Sequence, residues 1–246
     1  MIESINNEKI KKYSKLLNKK YRDETNLYLV STDHLVSEAL KKDLVVEIFL
    51  LEGYENKYGN VTYVTKSVMR KLSNLTTLPS VVAVVKKQEK VEIKGNVILL
   101  DGLQDPGNVG TIIRSSVAFN IDTIVVGDNT VDIYNEKVLR ASEGMLYNVN
   151  IVKKNLIDAI KYLKDNNYTV IGTKVDGGKN IKDINVDKYA FVVGNEGNGI
   201  SNEVLDLCDE YVYIKMNAAA ESLNVGVASS IIMYEINNKV LNDLIE

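Results

Sequence analysis

Cysteine and histidine are nearly missing from this 246-residue chain, which has one of each, Cys208 and His34. A single thiol excludes an internal disulfide framework and a thiolate metal cluster within one chain. A single imidazole excludes a His-rich metal site and leaves a Ser-His-Asp triad without an evident base. Both residues are expected to be structural: His34 follows Asp33, a candidate helix N-cap, and Cys208 is expected to pack as a small hydrophobe. Long apolar runs are missing too, since Leu44 to Leu51, broken by Glu47, falls far short of the ~20 residues a membrane-spanning helix needs. The opening MIESINNEKIKKY is polar where a secretory signal is apolar. A cytoplasmic protein without a membrane partner is expected, working without imidazole or thiol chemistry.

What is present is ordinary for a soluble globular chain, 45% hydrophobic and 26% charged, and long enough for one large domain or two smaller ones. The net charge of -3 hides an asymmetry. Residues 1–94 carry 17 Lys and Arg against 12 Asp and Glu, a balance of +5, while residues 95–246 carry 13 against 21, a balance of -8. The basic excess is concentrated in Lys9, Lys11, Lys12, Lys15, Lys19, Lys20 and Arg22, with no acid between them. Such a run is either a solvated helix face or the footprint of phosphate contacts.

The first part alternates short strands and helices: strands at Leu27 to Ser31, Val45 to Leu51 and Val81 to Val85, helices at Asp33 to Lys42 and Lys66 to Asn74. The charged stretch Lys86 to Gly95 is the candidate linker. Beyond it a β-then-α rhythm predicts a mainly parallel sheet, with strands at Val97 to Leu100, Thr123 to Val126, Thr169 to Thr173, Ala190 to Val193 and Tyr211 to Ile214. Helices are expected over Asn108 to Phe119, Leu156 to Asn166, a short stretch after Ser201, and Leu223 to Asn237.

Three segments lie at strand-to-helix transitions, where open parallel sheets bind ligands. In Asp101 to Asn120, Arg114 sits among apolar residues and needs an acidic or phosphate partner if buried. Asn108 is six residues earlier, so the two do not share a helix face. If both serve one site, Asn108 must project from a loop; otherwise it is a helix cap. In Phe191 to Ser201 an apolar strand empties into three glycines around Glu196, without the ending of a P-loop or the GxGxxG spacing. A carboxylate among backbone amides competes with an anion for the same donors, so a neutral or cationic ligand fits better. In Tyr213 to Glu235 a small-residue loop enters an apolar helix, with Ser222 and Asn224 placed to cap it. An exposed apolar face on that helix would suggest a subunit interface.

Together these segments resemble the three signature motifs of the SpoU/TrmH family of RNA ribose 2'-O-methyltransferases, in the SPOUT superfamily. The likeness rests on N-x-G-x-I-x-R from Asn108 to Arg114, G-N-E-G-x-G from Gly194 to Gly199 and E-S-L-N-V from Glu221 to Val225. The N-terminal part is similar to the family's substrate-binding module. The resemblance implies an α/β fold in which residues 1–90 form an RNA-binding module and residues 91–246 a knotted, trefoil SPOUT methyltransferase domain with a mainly parallel sheet. It also implies a homodimer, S-adenosylmethionine as cofactor and no metal. Asn108, Arg114, Glu196, Ser222 and Asn224 would form the catalytic set, and Thr173, Gly194, Ile214, Met216 and Leu223 would hold the cofactor. The seven basic residues from Lys9 to Arg22 would bind RNA, ribosomal RNA being favoured over transfer RNA.

Four places depart from the family pattern: Lys215 replaces a common proline, Ala218 to Ala220 a loop that commonly holds glycine, Ser31 a common glutamate, and Pro79-Ser80 a common Pro-Gln-Gly. Holding an arginine neutral near pH 7 costs about 7 to 9 kcal/mol. Arg114 is therefore expected to bind the target phosphate and stabilise developing alkoxide charge, oriented by Asn108, rather than to act as a standing base. A non-catalytic RNA-binding homologue and a nucleotide-dependent oxidoreductase are the alternatives; the motif residues speak against the first and the missing GxGxxG against the second.

Overall fold

The computed structural model describes residues 1–89, 92–175, 177–184 and 188–243, with side chains described up to residue 238. The chain divides into two units, Met1–Glu89 with Tyr134–Tyr147, and Lys90–Ile133 with Asn148–Glu246. Within the expected linker, residues 90 and 91 lie outside the described residues.

Asparagines start the first helices. Asn7 and Asn18 accept the backbone N–H of Lys9 and Lys20, capping α1 (Glu8–Ser14) and α2 (Lys19–Thr25) on either side of a 3-10 turn at Lys15–Leu17. The lysine-rich run is thus two short helices broken at Asn18. The chain continues through β1 (Leu27–Val30), α3 (Asp33–Leu40), β2 (Val45–Leu51), β3 (Thr62–Val64), α4 (Lys66–Lys71) and β4 (Val81–Lys86). Thr32, not Asp33, caps α3, its hydroxyl accepting the Leu35 N–H, because Asp33 already has helical backbone. The sheet order is β1-β4-β2-β3, with β4 antiparallel to both neighbours and β2 parallel to β3. Val81 to Val85 are all buried in the central strand, so no alternation survives there. Ile10, Leu16, Phe49, Met69, Leu72 and Val82 close the core beneath the helices.

The second unit carries β5 (Val97–Asp101), α5 (Pro106–Ala118) and β6 (Thr123–Val126). The chain then makes α6 (Glu136–Ala141), which belongs to the first unit. It returns through β7 (Asn150–Lys153), α7 (Leu156–Asp165), β8 (Thr169–Thr173), β9 (Lys179–Asn180), β10 (Tyr189–Gly194), α8 (Asn202–Leu205), β11 (Glu210–Tyr213) and α9 (Val225–Asp243). Strand order is β7-β6-β5-β10-β8-β11-β9, and every pairing is parallel. Two late strands therefore enter between earlier ones: β10 between β5 and β8, and β11 between β8 and β9. Because all strands point one way, the loops after β5, β10 and β11 leave the same edge of the sheet.

The segment Tyr134–Tyr147 has its own reasons to pack with the first ninety residues. Tyr134 packs against Tyr28 with ring centroids 4.6 Å apart and planes tilted by 42°, and Lys87 lies 4.8 Å above the Tyr134 ring. Gln88 donates to the Tyr147 carbonyl at 3.2 Å. His34 Nε2 lies 3.0 Å from the Glu143 carbonyl and must be the donor there, which accounts for the lone histidine structurally. Val138, Leu139, Leu146 and Tyr147 are buried, and burial pushes the Tyr147 hydroxyl up to about 12.

Candidate functional site

Asp105 and Pro106 decide where α5 begins. The Asp105 carboxylate accepts the Asn108 N–H at 2.9 Å, and proline takes the first helical position, where its missing N–H costs nothing. Asn108 therefore stands inside the helix and is buried, not on a loop as the two-residue geometry suggested. It faces inward, while Arg114, farther along the same helix, faces solvent.

The second motif is shaped by Gly194 and Asn195. Gly194 pairs in register with Asp101, so the two loops start side by side. A Cβ on Gly194 would lie 2.1 Å from the Gly199 carbonyl carbon and the Ile200 nitrogen, leaving glycine as the fitting residue. Asn195 then closes the turn: its Oδ1 accepts the N–H of Gly197 at 2.9 Å and of Asn198 at 3.1 Å, while its Nδ2 donates to the Gly102 carbonyl at 2.8 Å. The Ser201 N–H donates to Asp101 at 2.7 Å and ties the far end of the turn to β5.

Glu196 joins the first two loops. Its Oε1 accepts from the Asp105 N–H at 3.1 Å and the Asn108 amide at 3.0 Å, and its Oε2 accepts from the Gln104 N–H at 3.1 Å. Burial by itself would raise its carboxyl, but the donors, Asn108 foremost, outweigh that and hold it below the usual carboxylate range. The amides that could seat an anion are filled by the protein's own carboxylate. The third motif attaches through Asn224, whose Nδ2 donates to Asn108 Oδ1 at 2.8 Å. Its own Oδ1 caps α9, accepting from Gly226 and Val227 at 3.0 and 3.2 Å. Where α9 meets α5, Gly226 permits a close approach, since a Cβ there would be 3.2 Å from Thr111.

Of the residues singled out from sequence, Asn108, Glu196 and Asn224 thus form one continuous hydrogen-bonded relay. Arg114 and Ser222 are exposed and join no hydrogen bond or ion pair of the described residues. With both ends of its amide engaged by Glu196 and Asn224, Asn108 does not orient Arg114. Asn224 alone caps α9. Thr173 and Gly194 end adjacent strands, the Thr173 hydroxyl donating to Val192 O at 2.9 Å, and Ile214 and Met216 follow β11 half-buried. Leu223 lies exposed in the loop before α9. Cys208 packs beneath β8 with its thiol pushed up to about 11, chiefly by burial, which suits no nucleophile.

Among the basic residues, Lys9 pairs with Glu47 at 2.9 Å and Lys11 with Glu8 at 3.3 Å. Lys20 lies 3.9 Å from Glu24. Arg22 is buried and donates to the Leu16 and Leu17 carbonyls. Lys12, Lys15 and Lys19 are exposed. Sequence reasoning missed Asp101, Asp105 and Asn195, although an aspartate directly before Pro-Gly was a readable helix start.

The profile of the SpoU rRNA methylase family matches residues 95–234, and that of an MRM3-like substrate binding domain matches residues 7–83. The chain is 35% identical to the 23S rRNA (guanosine(2553)-2'-O)-methyltransferase RlmP of Bacillus subtilis, over 96% of this chain and 98% of that protein. Its fold is similar to the crystal structure of the SpoU methyltransferase AviRb of Streptomyces viridochromogenes in complex with AdoMet. The TM-score is 0.83 at 25% identity, covering 96% of this chain and 99% of that one. An rRNA methyltransferase from Sinorhizobium meliloti has the same fold, with a TM-score of 0.85 at 23% identity over 97% of each chain.

Proposed function

The chain belongs to the SpoU rRNA methylase family, and from that premise we propose that it transfers the methyl group of S-adenosylmethionine to a ribose 2'-hydroxyl of ribosomal RNA. The observation that carries this is the relay Glu196, Asn108, Asn224, which ties the three motif loops together at one edge of the parallel sheet. 23S rRNA, the substrate in the name of the Bacillus subtilis relative, is the first candidate target.

The cofactor would lie across the ends of β10, β8 and β11, against Thr173, Gly194, Ile214, Met216 and Leu223. The residues fit it: Gly194, whose missing side chain lets the turn close back on β10, ends the middle strand of the seven, and half-buried Ile214 and Met216 offer an apolar wall to a neutral ring. When bound, S-adenosylmethionine supplies a methyl group on a sulfonium centre. The carboxylate of Glu196 is saturated with donors and ionised, so it serves as a positioning residue rather than as the base. Arg114 is exposed and presents its fork of donors to RNA, gripping the target phosphate and stabilising negative charge as it develops on the ribose oxygen, whose proton leaves late to phosphate or water as the methyl group departs from sulfur. Bringing the hydroxyl in line with the methyl group then supplies a large part of the acceleration.

Residues 1–90 would recruit RNA and residues 91–246 would carry the chemistry. The insertion of β10 and β11 between earlier strands supports a trefoil knot in the second part. A homodimer is supported by α9, where Val227 and Tyr234, seven residues apart and so on one face of the helix, are 47% and 50% exposed. The deciding experiment maps 2'-O-methyl groups in ribosomal RNA from cells with and without the gene. Loss of one site, restored by the purified protein with S-adenosylmethionine, is expected; identical maps together with no transfer in vitro overturn the reading.

A further inference from the structure

We propose that a cavity in the N-terminal unit takes one unstacked nucleotide of single-stranded RNA, lysines holding its phosphate and Tyr21 its base; this rests on RNA being the substrate. The cavity, about 580 Å³, opens between α1, the 3-10 turn, α2 and α4, within the ~300 to 1,000 Å³ range of small-ligand sites. Its wall gathers Lys11, Lys12 and Lys15 from the lysine-rich run and adds Lys71 from the end of α4, distant in sequence. One carboxylate, Glu8, stands on the same wall, 3.3 Å from Lys11. Four ammonium groups against one carboxylate select an anion.

Aromatic rings make the pocket more than a charged patch. Lys15 lies 5.4 Å from the centre of the half-buried Tyr21 ring, and Lys12 lies 5.4 Å from that of Tyr13, and both rings line the cavity. A base that takes the ring face from the ammonium above it brings its own phosphate within reach of that displaced ammonium, and stacking with backbone charge contacts is how proteins hold single strands. A duplex, whose bases are already stacked, does not offer that face. The second cavity of this unit, about 610 Å³, is lined by Ser31, Thr32 and Pro79 with Glu136 and Arg140. Arg22, Lys137 and Arg140 face Glu136 there, but Tyr134, the one ring on that wall, is already packed against Tyr28 and under Lys87, which leaves less of its face for a base.

Anisotropy titration of a short labelled single-stranded oligoribonucleotide against salt tests the proposal on the full chain. Lys71→Gln is expected to lower the slope of log affinity against log salt by about 0.7, the share of one phosphate contact on a single strand. Lys66→Gln, on the same helix but off the cavity wall, is expected to leave it unchanged. Tyr21→Leu keeps an apolar side chain over the core and is expected to weaken binding at least about fivefold, while Tyr21→Phe retains it. Equal effects of Lys71→Gln and Lys66→Gln, or wild-type affinity in Tyr21→Leu, overturn the pocket. Methyl transfer to ribosomal RNA by the same preparations separates the two readings. An unchanged KM in Lys71→Gln and Tyr21→Leu overturns the pocket alone, whereas no transfer by the wild type overturns the methylase reading and the pocket with it.

Discussion

Glu196 is an acceptor surrounded by donors, and its charge state follows from that. An amide in its place turns an NH2 group toward N–H groups it cannot bond. Glu196→Gln is expected to lose roughly 1 kcal/mol in urea denaturation, the lower end for an unmade hydrogen bond because the carboxylate is partly solvated. The carboxyl is held below its ordinary value, so its contribution is present above the unfolded-state value and is lost as pH falls through the lowered one. The gap between wild type and Glu196→Gln should therefore close on acidification; a gap constant from neutral to strongly acid pH would show that the charge does not matter. Arg114 makes the opposite case, since it has no role inside the described chain. Arg114→Lys keeps the charge and removes the planar fork, and single-turnover rates should drop by about 10² to 10³. Calorimetry should find cofactor affinity unaltered, and near-normal turnover would remove the need for a guanidinium.

Two close approaches hold the elements of the site, at Gly194 and, where α9 meets α5, at Gly226. The turn after β10 admits no side chain at Gly194, where a Cβ would meet backbone rather than a flexible tip. Gly194→Ala should cost about 3 kcal/mol in thermal unfolding and weaken S-adenosylmethionine binding in calorimetry, and wild-type stability would show that the turn can open freely. Elements of this kind were partly legible in the sequence. β4 (Val81–Lys86) and β6 (Thr123–Val126) lie where their largely branched runs put them, because both faces of the central part of a sheet are buried. The edge strand β7 and the two-residue β9 were not legible: their side chains are only part-buried or exposed, so hydrophobic pattern carries no signal. Asn108 was identified as a site residue, but its setting was left between a loop and a helix cap, and it is neither. Its partners Glu196 and Asn224 lie 88 and 116 residues away, and no local period reveals an inward-facing asparagine inside a helix. Arg22 is similar: its charge counts in composition, yet its guanidinium is engaged by carbonyls a few residues back.

At the scale of the molecule, the function proposed above gives RNA chemistry to the acidic C-terminal part and RNA capture to the basic N-terminal part. If α9 joins two copies, light scattering should give twice 27.5 kDa, and Val227→Glu should bring the mass to that of one chain; a monomeric wild type would refute the pairing. The excursion Tyr134–Tyr147 makes the division less clean than a cut near residue 90 suggests. A chain lacking residues 1–89 would leave Val138, Leu139, Leu146 and Tyr147 without their apolar surroundings, and trypsin should then cleave rapidly at Lys137 and Arg140. Resistance equal to that of the full chain would show the segment to be self-sufficient. The same excursion imposes an order on biosynthesis. A chain leaves the ribosome N-terminus first, and a domain folds when its last contributing residue has emerged. Here the first unit waits for residue 147, by which time β5, α5 and β6 of the second unit have already been synthesised. A gene cut near residue 90 therefore parts Tyr134–Tyr147 from the residues it packs with.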